Sequence, residues 1–124
     1  MSWKFNNDSP IYIQIMDEIK LRIAKGILKP GDKVPAVREL AVKAGVNPNT
    51  MQKALSELER EGVLVSQRTS GRFVAATDSS ANALKKSLSE NYIRAYLQGM
   101  TSLGYDDEGS VTELTRFIKE HKAL

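Results

Sequence analysis

Residues 35–62 read PAVRELAVKAGVNPNTMQKALSELEREG, and this stretch predicts two short helices joined by a tight turn. The first helix is expected to end at Gly45, because glycine readily adopts the left-handed conformation that stops a helix. The second is expected to begin at Pro48, with the Asn47 side chain capping the free backbone N–H groups before it. Gly62 is expected to end the second helix.

The second helix is predicted to have one apolar side and one polar side. Apolar residues at positions i, i+3, i+4 and i+7 predict a buried stripe. They are Met51, Ala54, Leu55 and Leu58. The opposite side carries amides, a hydroxyl and an ammonium, which are groups that read base edges and hold phosphates. They are Asn49, Gln52, Lys53 and Ser56. This pattern is typical of a DNA-binding helix-turn-helix, although a merely solvated helix face has the same composition.

A short β-hairpin is predicted directly after the second helix. Residues 63–67, VLVSQ, read as a strand, residues 68–71 as a turn and residues 72–75, RFVA, as the returning strand. A hairpin in this place distinguishes a winged helix from a plain helix-turn-helix. Its tip carries arginines, hydroxyls and a glycine, which suit contacts to phosphates or to a minor groove. A sheet edge protected by charges is the alternative interpretation.

A further helix is predicted upstream, from Pro10 to about Lys25, with Ser9 as its cap and Gly26 as its stop. Isoleucines recur in it every four residues, which predicts a broad buried side. They are Ile11, Ile15, Ile19 and Ile23. This helix is therefore expected to be scaffold.

Residues 77–124 are predicted to form a tail of two helices, separated from a domain over residues 1–76 by the small, polar segment 76–81. The long first helix is expected to end at Gly104 and the second to begin at about Ser110. Two helices cannot cover apolar faces of this size by themselves, so either the winged domain or a second copy of the chain must cover them. The abundance of apolar positions favours the second copy, and a symmetric homodimer is predicted. The residues expected in the dimer interface are Leu84, Leu88, Tyr92, Ile93, Tyr96, Leu97, Met100, Leu114, Phe117 and Ile118.

The predicted fold is therefore mainly α with a small β-hairpin, a winged helix-turn-helix domain followed by a helical dimerisation tail. The chain has 124 residues, enough for one such domain and a small appendage. Its net charge of +3 is unevenly placed, because residues 1–76 carry 12 Lys and Arg against 8 Asp and Glu. The basic excess lies with the predicted DNA-binding domain, which suits a polyanionic partner, although an excess of this size is also found on a merely solvated surface.

Enzymatic and membrane functions are disfavoured by the composition. The absence of cysteine excludes disulfides and thiolate chemistry and is compatible with a reducing cytoplasm. The single histidine, His121, lies three residues from the C-terminus, and no acidic or histidine cluster has metal-ligand spacing. No apolar run is long enough to span a bilayer, so no membrane partner and a cytoplasmic location are expected. No cofactor is expected either.

Six segments of the chain resemble the DNA-binding domain of the GntR family of bacterial transcription regulators. They occur in the family's order and spacing across residues 10–75. They are PIYIQI at 10–15, PGDKVP at 30–35, RELA at 38–41, VNPNTM at 46–51, LEREG at 58–62 and GRFV at 71–74. The short tail and the Asn-Pro-Asn-Thr helix start look like the YtrA subfamily. The resemblance implies a dimeric repressor, often of a transporter operon, that binds an inverted-repeat operator.

The resemblance also implies which residues contact double-stranded DNA. In the family the usual contacts come from the first of the two predicted helices in residues 35–62, from the start and outer side of the second, and from the hairpin that follows, which is called the wing. Combined with the chemistry of the helix face and the hairpin tip, this predicts contacts from Arg38, Asn47, Asn49, Thr50, Gln52, Lys53, Arg68, Thr69, Ser70, Gly71 and Arg72. Many relatives have arginine where Pro48 and Gln52 stand, so the operator sequence does not follow.

Two alternatives stay open at this level. The first is a winged-helix module that binds proteins, for which acids or apolar groups would be expected in place of the polar and basic residues of the helix face and wing. The second is a small-molecule effector of unknown identity bound between protomers. Its polar candidate residues are Tyr92, Arg94, Tyr96 and Arg116.

Overall fold

The structure, a computed structural model, describes residues 3–75 and 77–121. Within these ranges it has five helices and one antiparallel hairpin, which confirms the predicted fold class. In chain order the elements are α1 (Ile11–Ala24), α2 (Val37–Ala44), α3 (Pro48–Arg60), β1 (Leu64–Gln67), β2 (Gly71–Val74), α4 (Asp78–Ser102) and α5 (Asp107–Glu120).

The chain forms two compact units, Met1–Lys85 and Lys86–Leu124, and the division falls inside α4. Helix α4 begins earlier than predicted, since much of the expected connector is already helical from Asp78. Ala81 donates its backbone N–H to the carbonyl of Thr77 at 2.8 Å, and its side chain is partly buried against the core of the first unit. Packing therefore extends the helix into a segment whose composition indicated a linker. The rest of that segment, Ala76, lies outside the described residues.

The first unit is built around α3, which packs against α1, α2 and β1. The predicted apolar stripe of α3 is confirmed, because all four of its side chains are fully buried. The buried core consists of Ile15, Met16, Ile19, Ile23, Val34, Leu40, Ala41, Ala44, Met51, Ala54, Leu55, Leu58, Leu64 and Val74. The opposite side of α3 is thereby held at the surface.

The turn between α2 and α3 has the predicted chemistry. Gly45 adopts φ 70° and ψ 35°, the left-handed conformation that ends α2. Asn47 accepts a hydrogen bond from the backbone N–H of Asn49 through Oδ1 at 2.7 Å, and Pro48 is the first helical residue. Local side-chain chemistry alone thus determines where α3 begins.

The predicted Ser9 cap of α1 is wrong. Pro10 occupies the cap position and no side chain accepts a hydrogen bond there. The Gln14 amide instead organises the segment before α1, donating to the carbonyls of Asn6 at 2.9 Å and Ser9 at 2.7 Å. Trp3 lies in the same segment, and the guanidinium carbon of Arg22 on α1 lies 4.0 Å from the centroid of its ring.

The hairpin is joined to the chain segment between α1 and α2. Strands β1 and β2 pair so that Ser66 lies opposite Arg72. Backbone bonds then connect β2 to the segment before α2, from Gly31 N–H to the Val74 carbonyl at 2.8 Å and from Val34 N–H to the Arg72 carbonyl at 2.9 Å. The base of the hairpin is therefore fixed along one edge.

In the second unit a tyrosine joins α4 to α5. The Tyr96 hydroxyl donates to the carbonyl of Ser110 at 2.7 Å, and Ser110 is only 1% exposed. Helix α5 begins earlier than the predicted Ser110, because the Asp106 carboxylate caps it by accepting the N–H of Gly109 at 2.7 Å. Two acids in its first turn, Asp107 and Glu108, also favour this start.

Candidate nucleic-acid interface

The outer side of α3 from Asn49 to Ser56 is an exposed surface without acids, and Glu57, which follows it, is paired with Arg60. Asn49, Gln52, Lys53 and Ser56 are all exposed. Gln52 donates its Nε2 to the Ser56 hydroxyl at 3.0 Å, which leaves the Gln52 carbonyl oxygen facing outward as an acceptor. Asn47 is exposed, but its Oδ1 is used by the cap, whereas Thr50 is half-buried. The surface thus offers donors and acceptors for base edges.

Lys53 is held in place by an aromatic ring. Its Nζ lies 4.1 Å from the centroid of Tyr12 on α1, within the range of a cation–π interaction. The side chain remains exposed, so its charge is oriented without being neutralised. Tyr12 is a residue whose contribution to this surface was visible only in the structure.

Two predicted arginines are exposed and unpaired among the described residues. Arg38 lies near the start of α2 and Arg68 at the tip of the hairpin. Neither makes a hydrogen bond, ion pair or ring contact within residues 3–75 and 77–121. Both guanidinium groups are therefore available to bind phosphates or guanine.

The wing tip is a turn whose predicted contact residues are exposed. The turn is closed by a hydrogen bond from Ser70 N–H to the Gln67 carbonyl at 3.2 Å, with Thr69 exposed between them. Gly71 has φ 102°, where a side chain would be strained, and an added Cβ would lie 3.4 Å from Cε of Lys33. The backbone conformation, and not a lack of space, therefore favours glycine at this position.

Arg72 differs from the other predicted contacts because it has a partner. Its Nε–H donates to Oε1 of Glu59 on α3, and its side chain is only 18% exposed. The same carboxylate oxygen accepts a hydrogen bond from the Ser66 hydroxyl at 2.8 Å. Glu59 was missed by sequence reasoning, since only the packing of the hairpin against α3 brings it beside Arg72.

The Glu59 carboxyl should make stability depend on pH. Its pKa is lowered from the ordinary value of 4.5, chiefly by the hydrogen bond from Arg72 and then by that from Ser66. Because the unfolded chain binds this proton at higher pH than the folded chain, the stabilisation is complete above about pH 4.5 and is lost as the pH falls through the folded pKa.

We therefore expect the urea midpoint to fall more between about pH 6 and pH 3 in the wild type than in Glu59→Gln. Fluorescence of Trp3, the single tryptophan, would report the unfolding. Parallel pH profiles for the two proteins would contradict this assignment.

The predicted dimerisation residues present an apolar surface in the second unit. Exposed fractions are 71% for Tyr92, 54% for Ile93, 43% for Leu114, 40% for Phe117 and 55% for Ile118. Two grooves run between α4 and α5. The first is lined by Ile93, Leu97 and Val111 and the second by Met100 and Phe117, while Tyr96 and Leu114 line both. Leu84 lies elsewhere, partly buried against the core of the first unit, and Leu88 is half-buried.

The two arginines proposed for an effector are engaged on their own helices. Arg116 bridges Glu113 at 2.9 Å and Glu120 at 2.6 Å. Arg94 bonds the Asn91 side chain at 2.9 Å and lies 3.7 Å from Glu90. Their charges are therefore already balanced by neighbouring side chains.

Residues 3–75 and 77–121 offer neither a metal-binding cluster nor a helix that could span a membrane. No group of three or more His, Cys, Asp or Glu side chains in that part of the chain could hold a metal ion. Its helices also lack the combination of length and apolar character needed to cross a bilayer.

Comparison with known proteins places these features in a family. The model described as bacterial regulatory proteins, gntR family, matches residues 11–74. The chain is 37% identical over 119 residues to the uncharacterized HTH-type transcriptional regulator YhcF of Bacillus subtilis, covering 96% of this chain and 98% of that protein. It is 39% identical over 100 residues to the HTH-type transcriptional repressor YtrA of the same organism, covering 76% and 77%.

Solved structures agree with the fold. A GntR family transcriptional regulator from Listeria monocytogenes superposes with a TM-score of 0.81 at 30% identity, covering 90% of this chain and 98% of that one. AraR(DBD) in complex with operator ORX1 matches 60% of this chain and 99% of its own, with a TM-score of 0.55 at 32% identity. The predicted family, the YtrA-like subfamily and the absence of an enzymatic role are thereby confirmed. The chain belongs to the GntR family and is a DNA-binding transcription regulator.

Proposed function

We propose that the chain acts as a homodimeric repressor that binds an inverted-repeat operator, with one α3 helix in each half-site. The observation that carries the proposal is the exposed side of α3 from Asn49 to Ser56, which has no acid and lies opposite a fully buried side. Arg38 on α2 precedes this helix in the sequence and Arg68 at the wing tip follows it, and both guanidinium groups are unpaired among the described residues. Such a surface matches the requirements of a major groove and its phosphates.

Individual roles follow from the geometry. Asn49 and Gln52 would read base edges, because amides can donate and accept at the same time. Thr50 and the Asn47 amide nitrogen would contact bases or phosphates at the start of α3, where backbone N–H groups favour anions. Lys53, oriented by Tyr12, would hold a phosphate. The proposed wing contacts with the flanking backbone or minor groove are Arg68, Thr69, Ser70 and Gly71, whereas Arg72 is paired with Glu59 before DNA binds.

The homodimer is supported by the exposed apolar residues of the second unit. Exposing the large apolar side chains that line the grooves between α4 and α5 to water costs free energy, and a second copy of the chain can cover them symmetrically. Two α3 helices related by a twofold axis would meet half-sites whose centres are about 34 Å apart, or a multiple of that spacing. We therefore assign dimerisation to the tail.

The biological role is proposed from the relatives. YtrA of Bacillus subtilis is named a repressor, and the subfamily resemblance implies an operon of the transporter type. We place the protein in the cytoplasm, where operators are found. No effector is included in the proposal, because Arg94 and Arg116 are already paired on their own helices.

The contact from Arg38 is tested with Arg38→Ala on an operator selected from a random duplex library. We expect affinity to fall by about 1–3 kcal/mol if the guanidinium reads a base. If it holds a phosphate, the slope of log K against log salt should also shrink by about 0.9. Fluorescence anisotropy across a salt series would separate these two roles.

Lys119→Ala, which removes one exposed charge from α5, is the control and should bind as the wild type does. If Arg38→Ala also bound as the wild type at every salt concentration, the role of Arg38 would be excluded. Failure of the wild type to enrich any duplex at low salt would contradict the proposed function as a whole.

A further inference from the structure

A side-chain link connects the end of the recognition helix α3 to both strands of the wing. Glu59 lies near the C-terminal end of α3, and its Oε1 accepts from Ser66 on β1 and from Arg72 on β2. Ser66 and Arg72 are paired across the hairpin, so both side chains point to the same face. One carboxylate thus binds two strands at the same level of the hairpin.

The base of the wing is anchored by the buried Leu64 and Val74 side chains and by backbone bonds, and Glu59 adds a side-chain contact nearer the tip. A hairpin of two four-residue strands is marginally stable without further contacts. Its base is held by backbone bonds, including Val63 N–H to the Leu58 carbonyl at 2.9 Å and Val34 N–H to the Arg72 carbonyl at 2.9 Å. Among the described residues, the ion pair between α3 and the strands is the one that Glu59 makes with Arg72.

The surroundings of Arg72 also separate it from a free DNA contact. Its side chain is 18% exposed and its charge is balanced by Glu59, whereas Arg68 at the tip is exposed and unpaired in the described part of the chain. The Arg72 Nε–H already makes a charge-assisted hydrogen bond to a carboxylate, so a phosphate bound by this guanidinium would lie close to the negative charge of Glu59. The two wing arginines are therefore in different electrostatic states before DNA arrives.

We infer that Glu59 is a positioning residue for DNA binding, which orients the wing relative to α3 through Ser66 and Arg72 without itself contacting DNA. The inference rests on the proposed function, since it assumes that α3 and the wing bind one duplex together. When the link is intact, the wing tip is already oriented for binding. When the link is broken, only a fraction of molecules has the competent arrangement, and the apparent affinity falls by that fraction.

The alternative role of Arg72 predicts the opposite result for one substitution. If Arg72 binds a phosphate directly, Glu59→Gln frees its guanidinium and removes a negative charge near DNA, so binding should tighten. If Glu59 positions the wing, the same change should weaken binding although the protein becomes more basic. The sign of the effect therefore decides between the two roles.

The test measures affinity of the full chain for the selected operator across a salt series. We expect Glu59→Gln to weaken binding by about fivefold with an unchanged salt slope. Arg72→Gln should weaken it similarly, and the double variant should lose little more, because both changes break the same link. Arg68→Gln, by contrast, should reduce the salt slope by about 0.9.

Glu61→Gln is the matched control. It removes the same charge two residues away, but Glu61 pairs with Lys20 on α1 at 2.8 Å and not with the wing. It should bind DNA as tightly as the wild type or more tightly. Unfolding followed by Trp3 fluorescence would establish that every variant is folded at the assay temperature, so that lost affinity reports wing orientation.

Equal or tighter binding by Glu59→Gln would overturn the inference, as would additive losses in the double variant. These outcomes differ from failure of the proposed function, in which the wild type itself would select no duplex. If the wild type binds, and Arg38→Ala and Arg68→Gln weaken binding while Glu59→Gln does not, only the positioning role is excluded.

Discussion

Replacing Leu114 with arginine is expected to leave the protein monomeric and to lower its affinity for a two-half-site operator by about 10²- to 10⁴-fold. Leu114 lines both grooves between α4 and α5 and is 43% exposed in the single chain. An arginine there would place an unpaired charge in the proposed apolar interface, which is costly to desolvate. Sedimentation velocity would give the oligomeric state and fluorescence anisotropy the affinity.

Leu103→Arg is the matched control for this prediction. Leu103 is 74% exposed and lines neither groove, so the same change in size and charge should leave the dimer intact. Affinity for a single half-site should be similar in the wild type and both variants, because the first unit is untouched. A dimeric Leu114→Arg protein with unchanged operator affinity would show that the tail surface serves another purpose.

Leu55→Ala should destabilise the first unit by about 2–5 kcal/mol. Leu55 is 0% exposed, and α3 packs against α1, α2 and β1. The substitution removes buried methyl groups and leaves a cavity in the core beside α3, the helix around which the unit is built. Urea denaturation followed by the fluorescence of Trp3 would measure the change.

Val42→Ala provides the comparison. Val42 lies on α2 and is 82% exposed, so its truncation should change stability by less than about 0.5 kcal/mol. A loss below about 1 kcal/mol in Leu55→Ala would mean that the buried side of α3 is not the main support of the outer, DNA-facing side.

Much of the first unit was predictable because its signals are local. Gly45 ends α2 and Asn47 caps α3 through groups that lie a few residues apart along the chain. The stripe from Met51 to Leu58 has the helical period, and its burial follows from that period alone. The same local signals supported the family resemblance, which the matching model over residues 11–74 confirms.

The predictions that failed depend on contacts with distant or competing groups. Ser9 was expected to cap α1, but the Gln14 side chain engages the preceding carbonyls instead. The start of α4 was read as a linker from its small polar residues, although packing of Ala81 and Leu84 on the first unit extends the helix. Composition cannot register such contacts, because they exist only after the chain has folded.

The sequence by itself determined the order of helices and strands, the turn before the recognition helix and the residue types on its two sides. These follow from capping, backbone conformation and periodicity, which act over one or two helical turns. Tertiary structure alone decided that Arg38 and Arg68 remain unpaired among the described residues while Arg72 is bound to Glu59. The physical reason is that packing of the hairpin against α3 brings together side chains that are 13 residues apart, and no pattern along the chain specifies that contact.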